Sequence, residues 1–434
     1  MKKRLYEQSL LILTVGKWVC LSVIIGCIVG ISTAIFLKAL NLSTISLSRH
    51  NYYFLCMPAA FFASALIIKY LAPDAEGHGT EKVIEAIHRK DSKINASVIP
   101  VKLIATVITI ASGGSAGKEG PCAQIGAGLA SLFARIFRFD SVDRRKIVIC
   151  GISAGFASVF GTPIAGAIFG VEVLFIGGLL YDVLLPSFIA GIISFHISES
   201  LGISYFYHTL NFVPAFGQLF FIQVIIAGVF FGLISFLLIE LLKFGNKCSR
   251  AIHVWGPLKG AMGGTLLAVM AFMFSTQYLG LGLNTIESCL QGGKVSWFAF
   301  LLKTLFTSVT LNFGGSGGIV TPIFFIGSTS GNLFAQLFNL DVATFSALGL
   351  VALLAGAANT PIAASIMSIE LFGPKIAPYA AIACVISFLI TGHRSVYPSQ
   401  ILAFKKSKFI DVETAKDIEG VKVGFSFLKK KKKQ

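Results

Sequence analysis

Four long stretches of this sequence contain no Asp, Glu, Lys or Arg, and they restrict the fold more than any other feature. Each is near or above the ~20 residues that a helix needs to cross a bilayer, where the backbone must satisfy its own hydrogen bonds. The chain of 434 residues is only 13% charged, against roughly 25% in soluble domains. We therefore expect an all-α integral membrane protein, which excludes a soluble enzyme or a nucleic-acid binder. The charge-free stretches are residues 18–37, 147–171, 304–340 and 342–369.

The basic residues predict how the chain lies in the membrane. They give a formal net charge of +16 and gather outside the apolar stretches, at 2–4, 144–146 and 429–433. Because Lys and Arg accumulate on the cytoplasmic side of membrane proteins, we expect both termini in the cytoplasm and an even number of crossings. The expected partner is the lipid bilayer of a plasma or inner cell membrane, and the basic tail suits anionic headgroups.

Signals for processing or cross-linking are weak. The basic start and the apolar run after it imitate a signal peptide, but Lys17 interrupts the run and no small-residue cleavage site ends it before Leu40. We expect a retained first helix. The eight cysteines lie singly, without a C-x-x-C pair, so neither disulfides nor a zinc site are expected. No cofactor or other metal is implied.

Internal repetition is the clearest sign of architecture. Gly113-Gly-Ser-Ala-Gly-Lys-Glu-Gly-Pro121 corresponds to Gly314-Gly-Ser-Gly-Gly-Ile-Val-Thr-Pro322, at an offset of 201 residues. Further on, Thr162-Pro-Ile-Ala-Gly-Ala-Ile-Phe-Gly-Val-Glu172 corresponds to Thr360-Pro-Ile-Ala-Ala-Ser-Ile-Met-Ser-Ile-Glu370, at an offset of 198. Two paired blocks in the same order predict a duplicated fold.

Each repeated block joins glycines or a Thr to a proline inside an apolar run, which is typical of a helix that begins within the membrane. Duplicated broken helices indicate the binding site of a transporter. The free N–H groups of such a helix start carry about half a positive charge and attract an anion. The alternative is that the glycines only allow close helix packing.

The repetition predicts two inverted-topology repeats of spanning and broken helices. We expect the first membrane repeat at 1–212, the second, inverted one at 213–404, and a short basic cytoplasmic tail at 405–434 without a regulatory domain. The polar stretches 73–97 and 244–259 are expected to be loops.

Glu119 is the one acid between Lys102 and Asp140, and it stands between Lys118 and Gly120 at a predicted helix start. An ionisable residue at membrane depth is a functional candidate. When ionised, it can occupy the amides as an anion would; when protonated, it loses that attraction, so that a proton and an anion become exchangeable. The alternative is an acid that only stabilises the helix dipole.

These residues resemble the CLC family of chloride channels and proton-coupled chloride transporters. Gly117-Lys-Glu-Gly-Pro121 matches the G-[KR]-E-G-P motif of that family, and the resemblance extends over roughly residues 15–400. It implies a homodimer with one pore in each subunit, and Glu119 as the gating glutamate. It also implies an anion site that includes Lys118 and Gly120.

Two motifs of the implied anion site depart from the family pattern. Where the family has G-S-G-I-P, this chain has Gly77-His-Gly-Thr-Glu81, so that His78 takes the place of the anion-binding serine beside Gly79. The imidazole either donates to the anion, with a full charge when protonated, or turns away. Where the family has G-x-F-x-P, Ile319 and Val320 supply the backbone amides.

A late tyrosine is the last implied anion ligand. Tyr397 is the best candidate for the hydroxyl that touches the central anion, and the alternative is a tyrosine of the interfacial belt.

The resemblance leaves the proton route open. Proton-coupled members carry an inner acid where this chain has Val173, which binds no proton. The neighbouring Glu172 and its counterpart Glu370 either brace helix ends or carry protons, and His78 is another candidate for the route. The chain is therefore a channel, or an antiporter with a different inner route.

Chloride is the expected ion, and fluoride is the second choice. Fluoride exporters of the family share Gly-x-Val-Thr-Pro but carry an acid where this chain has Ile319. A distant alternative is an intramembrane serine protease, because Gly314-Gly-Ser-Gly317 fits G-x-S-G and His393 could act as the base. That pattern is weak in a chain with 44 glycines, and the nucleophile elbow belongs to a strand-turn-helix context. We therefore expect no enzyme.

Overall fold

The computed structural model describes residues 2–205, 207–210, 214, 217–420 and 424–425. The predicted boundary between the repeats, at 212 and 213, and the basic run 429–433 lie outside these residues. Sixteen α-helices account for most of the described chain. The first eight are α1 (Lys2–Ser48), α2 (Met57–Leu71), α3 (Thr80–Arg89), α4 (Val98–Ala111), α5 (Glu119–Ile136), α6 (Ser141–Phe160), α7 (Pro163–Glu172) and α8 (Tyr181–Ser200). The others are α9 (Gln218–Ala251), α10 (Gly256–Met273), α11 (Leu283–Leu290), α12 (Ala299–Asn312), α13 (Val320–Phe338), α14 (Val342–Ala358), α15 (Pro361–Phe372) and α16 (Ala377–Ile390).

The order of long and short helices is the same in the two halves. Each half begins with a long helix, α1 or α9, and contains one of the two shortest polar helices, α3 or α11, in third place. The predicted fold class is confirmed: the protein is all-α apart from four two-residue strands in the described residues, and it consists of spanning and broken helices.

Helices long and apolar enough to cross a membrane number five in the described chain. They comprise parts of α1 and α2 with its preceding turn, and the whole of α8, α9 and α10. Helices α4, α7, α14 and α15 are apolar but shorter. A long first helix is thus present, and short apolar helices accompany the spans as expected for broken helices.

Three of the four charge-free stretches are broken into two helices. The break between α6 and α7 lies at Gly161, which has the left-handed φ of 73°, and the break between α14 and α15 lies at Asn359, with φ 56°. In both places a Thr-Pro pair follows and begins the next helix. Proline suits a helix start because its missing N–H would have no partner there.

Glycine pairs let the broken helices approach their neighbours closely. A Cβ on Gly126 of α5 would meet the carbonyl oxygen of Gly151 on α6, and the reverse is also true. Gly327 of α13 and Gly349 of α14 are related in the same way. These glycines pack helices while others lie at helix starts, where the attraction of an anion stays a prediction.

The two predicted loops are mostly helical, and those predictions were wrong. Stretch 73–97 contains α3, whose apolar residues Val83, Ile84 and Ile87 are buried while its charged residues are partly or fully exposed. This is the pattern of an amphipathic helix. Stretch 244–259 is covered by the end of α9 and the start of α10.

The chain after α16 folds back onto the first repeat. Strand β2 (Ile401–Leu402) pairs in parallel with β1 (Phe175–Ile176), which follows α7. Strands β3 (Ile410–Asp411) and β4 (Gly424–Phe425) form an antiparallel pair. An apolar cluster holds this segment in place; it contains Ile176, Phe388, Leu402, Val412 and Ile418.

Candidate functional site

A backbone bridge joins the two repeats at the middle of the molecule. The N–H of Gly117 donates to the carbonyl of Gly318 at 2.7 Å, and the N–H of Gly318 donates to the carbonyl of Gly117 at 2.6 Å. These glycines immediately precede the starts of α5 and α13. The repeated Gly-rich blocks therefore bring two helix N-termini side by side.

Threonine hydroxyls support this bridge in the same way from both sides. Thr310 accepts a hydrogen bond from the N–H of Ser115, and Thr109 accepts one from the N–H of Ser316, both at 3.0 Å. Thr109 lies on α4 in the first repeat and supports the glycine block of the second. Thr310 lies on α12 in the second repeat and supports the glycine block of the first. The cross-repeat contacts fix the irregular backbone where no regular helix satisfies it.

The carboxylate of Glu119 crosses from α5 to the start of α13. Its Oε1 accepts from the N–H of Val320 at 2.5 Å, and its Oε2 accepts from the hydroxyl of Thr321 at 2.7 Å. The side chain is completely buried. A negative group thus occupies the donors that a free anion would use at a helix N-terminus.

The loop before α3 lies against the start of α5. Gly79 has φ 78°, and a Cβ there would meet the carbonyl of Gly120. A Cβ on Gly120 would in turn meet the carbonyl of His78. The buried ammonium of Lys102 holds this loop by donating to the carbonyls of Ala75 (3.0 Å) and Gly77 (2.5 Å).

His78 and Tyr397 face each other across this region. Their ring centroids are 5.8 Å apart. His78 Nδ1 and the Tyr397 hydroxyl are both buried without a hydrogen-bond partner among the described residues. Thr80 lies near the hydroxyl but not in hydrogen-bonding geometry. Tyr397 is 0% exposed, which excludes the interfacial-belt interpretation.

Glu172 and Glu370 cap each other's repeat. The carboxylate of Glu172 accepts from the N–H groups of Ile362 (3.0 Å) and Ala363 (2.8 Å) at the start of α15. That of Glu370 accepts from Ile164 (2.9 Å) and Ala165 (2.8 Å) at the start of α7. Both oxygens of each acid are occupied, which is the arrangement of a helix brace.

Two of the predicted anion ligands lie differently from the others. Lys118 is half-buried and lines a cavity of about 640 Å³, together with Lys38 and residues 276–285. Ile319 is buried and directly precedes α13. The structure therefore brings together His78, Gly79, Glu119, Gly120, Val320 and Tyr397, with Ile319 beside them and Lys118 on the cavity side.

The sequence analysis missed Thr321 and Lys102. Thr321 follows Val320 in the first turn of a broken helix, so its hydroxyl was a readable signal. Lys102 is a lone cation in an apolar run, which in a membrane indicates a buried, paired charge. Its counterpart Lys303 holds the carbonyls of Tyr278 and Gly280 at 3.0 and 2.8 Å.

The protease pair is not assembled. The Ser316 hydroxyl is bonded to that of Thr106 at 3.1 Å, and Nε2 of His393 accepts from the N–H of Lys406 at 3.1 Å. Neither residue serves as the other's partner.

Comparison with known proteins agrees with this geometry. Residues 59–392 match the voltage gated chloride channel family. A chloride/fluoride channel protein of Pseudomonas syringae pv. tomato is 37% identical over 93% of this chain and 91% of its own length. The crystal structure of a CLC-type fluoride/proton antiporter superposes with a TM-score of 0.85 and 27% identity, over 89% of this chain and 98% of the other.

A slow cyanobacterial Cl⁻/H⁺ antiporter has the same fold at 19% identity, with a TM-score of 0.75 over 86% of this chain and 94% of its own. The family match covers most of the sequence, and the broken-helix fold agrees with it. The chain therefore belongs to the voltage gated chloride channel family and is a membrane protein of anion transport.

Proposed function

We propose that Glu119 and a transported halide alternate at the start of α13. The observation that supports this is the pair of hydrogen bonds from Val320 and Thr321 to the Glu119 carboxylate. An amide and a hydroxyl at a helix N-terminus recognise negative charge without a full cation that would hold the ion too tightly.

Protonation of Glu119 connects the anion to the proton. A neutral carboxylic acid loses most of its attraction to these donors, so that an anion takes its place. When the anion leaves, the ionised side chain returns. Each cycle therefore moves an anion and a proton in opposite directions, and we propose proton-coupled exchange rather than a simple channel.

His78, Gly79, Gly120, Ile319, Val320 and Tyr397 form the proposed anion path next to this gate. The unpartnered Nδ1 of His78 and hydroxyl of Tyr397 support it, because buried polar atoms without partners indicate a missing ligand or water. Lys118 is proposed to attract anions into the cavity that it lines. Glu172 is proposed to brace α15, since both of its oxygens are occupied.

Fluoride is the halide that we propose first, with chloride second. The relative from Pseudomonas is named a chloride/fluoride channel protein, and the structural neighbour is a fluoride/proton antiporter. Short, strong N–H and O–H donors suit a small anion that accepts hydrogen bonds well. The sequence expectation placed chloride first because Ile319 replaces an acid, and the ion assay below decides between the two.

The test uses the full chain in liposomes loaded with fluoride or chloride. An ion-selective electrode records anion efflux, and a pH dye records the accompanying proton uptake. In Glu119→Gln we expect proton movement and the pH dependence of anion flux each to fall at least about tenfold. Anion flux that keeps its wild-type pH dependence in this variant would remove Glu119 as the gate.

A matched pair of threonines sharpens the test. Thr321→Val removes the hydroxyl donor to Glu119, whereas Thr329→Val on the same helix removes a hydroxyl that bonds only its own helix, to Phe325 and Ile326. Loss of one such bond is worth about 1 kcal/mol, so we expect roughly a fivefold change in flux for Thr321→Val and none for Thr329→Val.

We propose a homodimer with both termini in the cytoplasm. Glu172 and Glu370 cap α15 and α7. Exposed apolar side chains on these two helices support a second copy of the chain as the partner at this surface; they include Ile164, Ile362 and Ile369. Light scattering of the detergent complex should give a protein mass twice the 46.4 kDa of one chain. A carboxyl-terminal tag should be cleaved by protease only in inside-out vesicles.

A further inference from the structure

Acids near the candidate site differ in how their oxygens are used. Glu119, Glu172 and Glu370 each accept hydrogen bonds at both oxygens. Glu81, in the first turn of α3, accepts two bonds at Oε1 alone, from the N–H of Ser399 at 3.0 Å and from its hydroxyl at 2.5 Å. Its Oε2 is the only carboxylate oxygen in the described chain that is buried without a partner.

Three unpartnered polar atoms therefore occur in one region. Glu81 Oε2 belongs to the segment that starts with His78, and its partner Ser399 lies two residues after Tyr397. The two rings face each other. The Tyr397 hydroxyl is close enough to Glu119 and to Glu81 to interact electrostatically with both. Glu81 and Glu119 are thus both within electrostatic reach of the Tyr397 hydroxyl.

Among the residues that the structure describes, no cation forms an ion pair with the Glu81 carboxylate. On α3, Lys82 donates to Glu85 at 3.0 Å, and on α4 the ammonium of Lys102 is engaged by carbonyls. The charged or titratable groups near Glu81 are Lys82 and Glu85 on α3 and Tyr397, whose ring faces that of His78.

The environment of Glu81 suits a group that exchanges protons near neutral pH. Helix α3 is not one of the membrane-spanning segments, and Glu81 is half-buried rather than sealed. Burial raises the pKa of Glu81 to about 7, against the opposing hydrogen bonds of Ser399 and the charge of Lys82. A carboxyl group with such a pKa is a suitable proton donor and acceptor at physiological pH.

Helix α3 lies on the same side of the molecule as the folded carboxyl-terminal segment. Arg89, at the end of α3, is paired with Asp417. Under the proposed topology this side is cytoplasmic, and the half-buried Glu81 exchanges protons with the cytoplasm there.

We propose that Glu81 is a proton-binding site that loads Glu119 from the cytoplasmic side; this rests on the proposed exchange function. Glu81 takes up a proton at its unpartnered Oε2, which is buried, so that a water molecule from the cytoplasmic side must enter the site to deliver it. When Glu119 leaves Val320 and Thr321, the proton passes to its carboxylate through the Tyr397 hydroxyl, which accepts one proton and gives up another. One carboxyl O–H bond breaks at Glu81 and one forms at Glu119, so that the net charge of the site is unchanged.

The experiment measures the ratio of protons to anions moved in liposomes under a fluoride or chloride gradient. We compare wild type with Glu81→Gln, Glu81→Asp and Glu85→Gln. Glu85 is the matched control, because it lies one turn along the same helix and is paired with Lys82 and Lys90. We expect the ratio to fall at least about tenfold in Glu81→Gln, to be retained in Glu81→Asp, and to be unchanged in Glu85→Gln.

A further variant distinguishes a proton site from a brace of the Tyr397 segment. Ser399→Ala removes the hydroxyl that stabilises ionised Glu81, so the pH at which proton movement is half-maximal should shift upward. A brace alone predicts no such shift. If Glu81→Gln does not yield folded protein, this shift decides the question.

The outcomes separate the two proposals. A wild-type protein that moves no halide overturns the proposed function itself. Wild-type halide movement without protons overturns the proposed exchange and with it the role of Glu81. Proton-coupled movement in wild type with an equal ratio in Glu81→Gln overturns the role of Glu81 alone and leaves the exchange intact.

Discussion

The starts of α5 and α13 occupy equivalent places in the two repeats, yet they contribute opposite chemistry. Glu119-Gly-Pro121 begins one helix and Val320-Thr-Pro322 begins the other, at the offset of 201 residues. The first provides a carboxylate, and the second provides the N–H and the hydroxyl that bind it. The repeats thus carry two similar helix starts, and under the proposed function the one acid at the first of them acts as the gate.

The backbone around these starts has stayed symmetric. The glycine bridge, the threonine supports and the two buried lysines all occur as reciprocal pairs. The side chains at the two helix starts differ, with Glu119 in one repeat and Val320 and Thr321 in the other. The comparison suggests that the paired contacts maintain the scaffold, while transport depends on the unpaired residues.

The loops before α3 and α11 show the same division. Lys102 and Lys303 hold them in the same way, but the first loop carries His78 and Glu81 where the second carries Leu281 and Asn284. The second loop lines the cavity of about 640 Å³ beside Lys118. The two equivalent segments thus differ, because the first carries titratable groups and the second lines a cavity with neutral residues.

The buried lysines give the strongest test of the symmetric scaffold. Lys102→Met and Lys303→Met each leave two buried carbonyls without a donor, so each should lower the free energy of unfolding by roughly 2–5 kcal/mol. Denaturation in detergent measures this loss, and Lys259→Met, which removes one bond from a half-buried lysine, should cost less.

The functional half of the same test concerns flux. Lys102→Met should also slow halide movement, because it releases the His78 loop, while Lys303→Met should affect mainly stability. Equal effects of both variants on flux would contradict the division between scaffold and site. No loss of stability in either would contradict the symmetric scaffold.

The capping glutamates test the comparison with a smaller effect. Glu172→Gln and Glu370→Gln keep one acceptor but lose the charge at a helix N-terminus, which should cost about 1 kcal/mol each. Glu172→Gln should cost more, because Glu172 is buried and Glu370 is half-exposed. The control is Glu199→Gln on α8, where the carboxylate is exposed. A larger loss of stability in this control than in the two capping variants would contradict the capping role.

Much of this arrangement was readable from the sequence. Charge-free runs, the duplicated blocks and Glu119 predicted the membrane class, the broken helices and the gate candidate, because glycine, proline and a lone acid have strong local consequences in a bilayer. The loop predictions failed at α3, where buried Val83 and Ile84 lie among charged residues. Polar composition alone does not distinguish a loop from an amphipathic helix.

Contacts between the repeats could not be predicted from local patterns. Glu172 and Glu370 were expected to brace helix ends or carry protons, but nothing in either block shows that each caps the other repeat. The same applies to the bond between Thr321 and Glu119 and to that between Ser399 and Glu81, which join residues 202 and 318 positions apart. Such pairs depend on the closure of the whole fold.

The last prediction concerns the pH dependence of stability at the equivalent positions of the two repeats. The pKa of Glu81 is raised to about 7 in the folded protein, against 4.5 for an ordinary glutamate, so the folded chain binds this proton more tightly than the unfolded chain. Stability should therefore be highest below about pH 4.5, decline as the pH rises toward about 7, and stay constant above it. Glu81→Gln should remove this decline in the melting temperature. Asn284→Glu places an acid at the equivalent, exposed position of the second repeat, and should add no such decline because an exposed carboxylate remains hydrated. A decline that persists in Glu81→Gln would show that another group titrates, and would make the two positions more alike than their residues suggest.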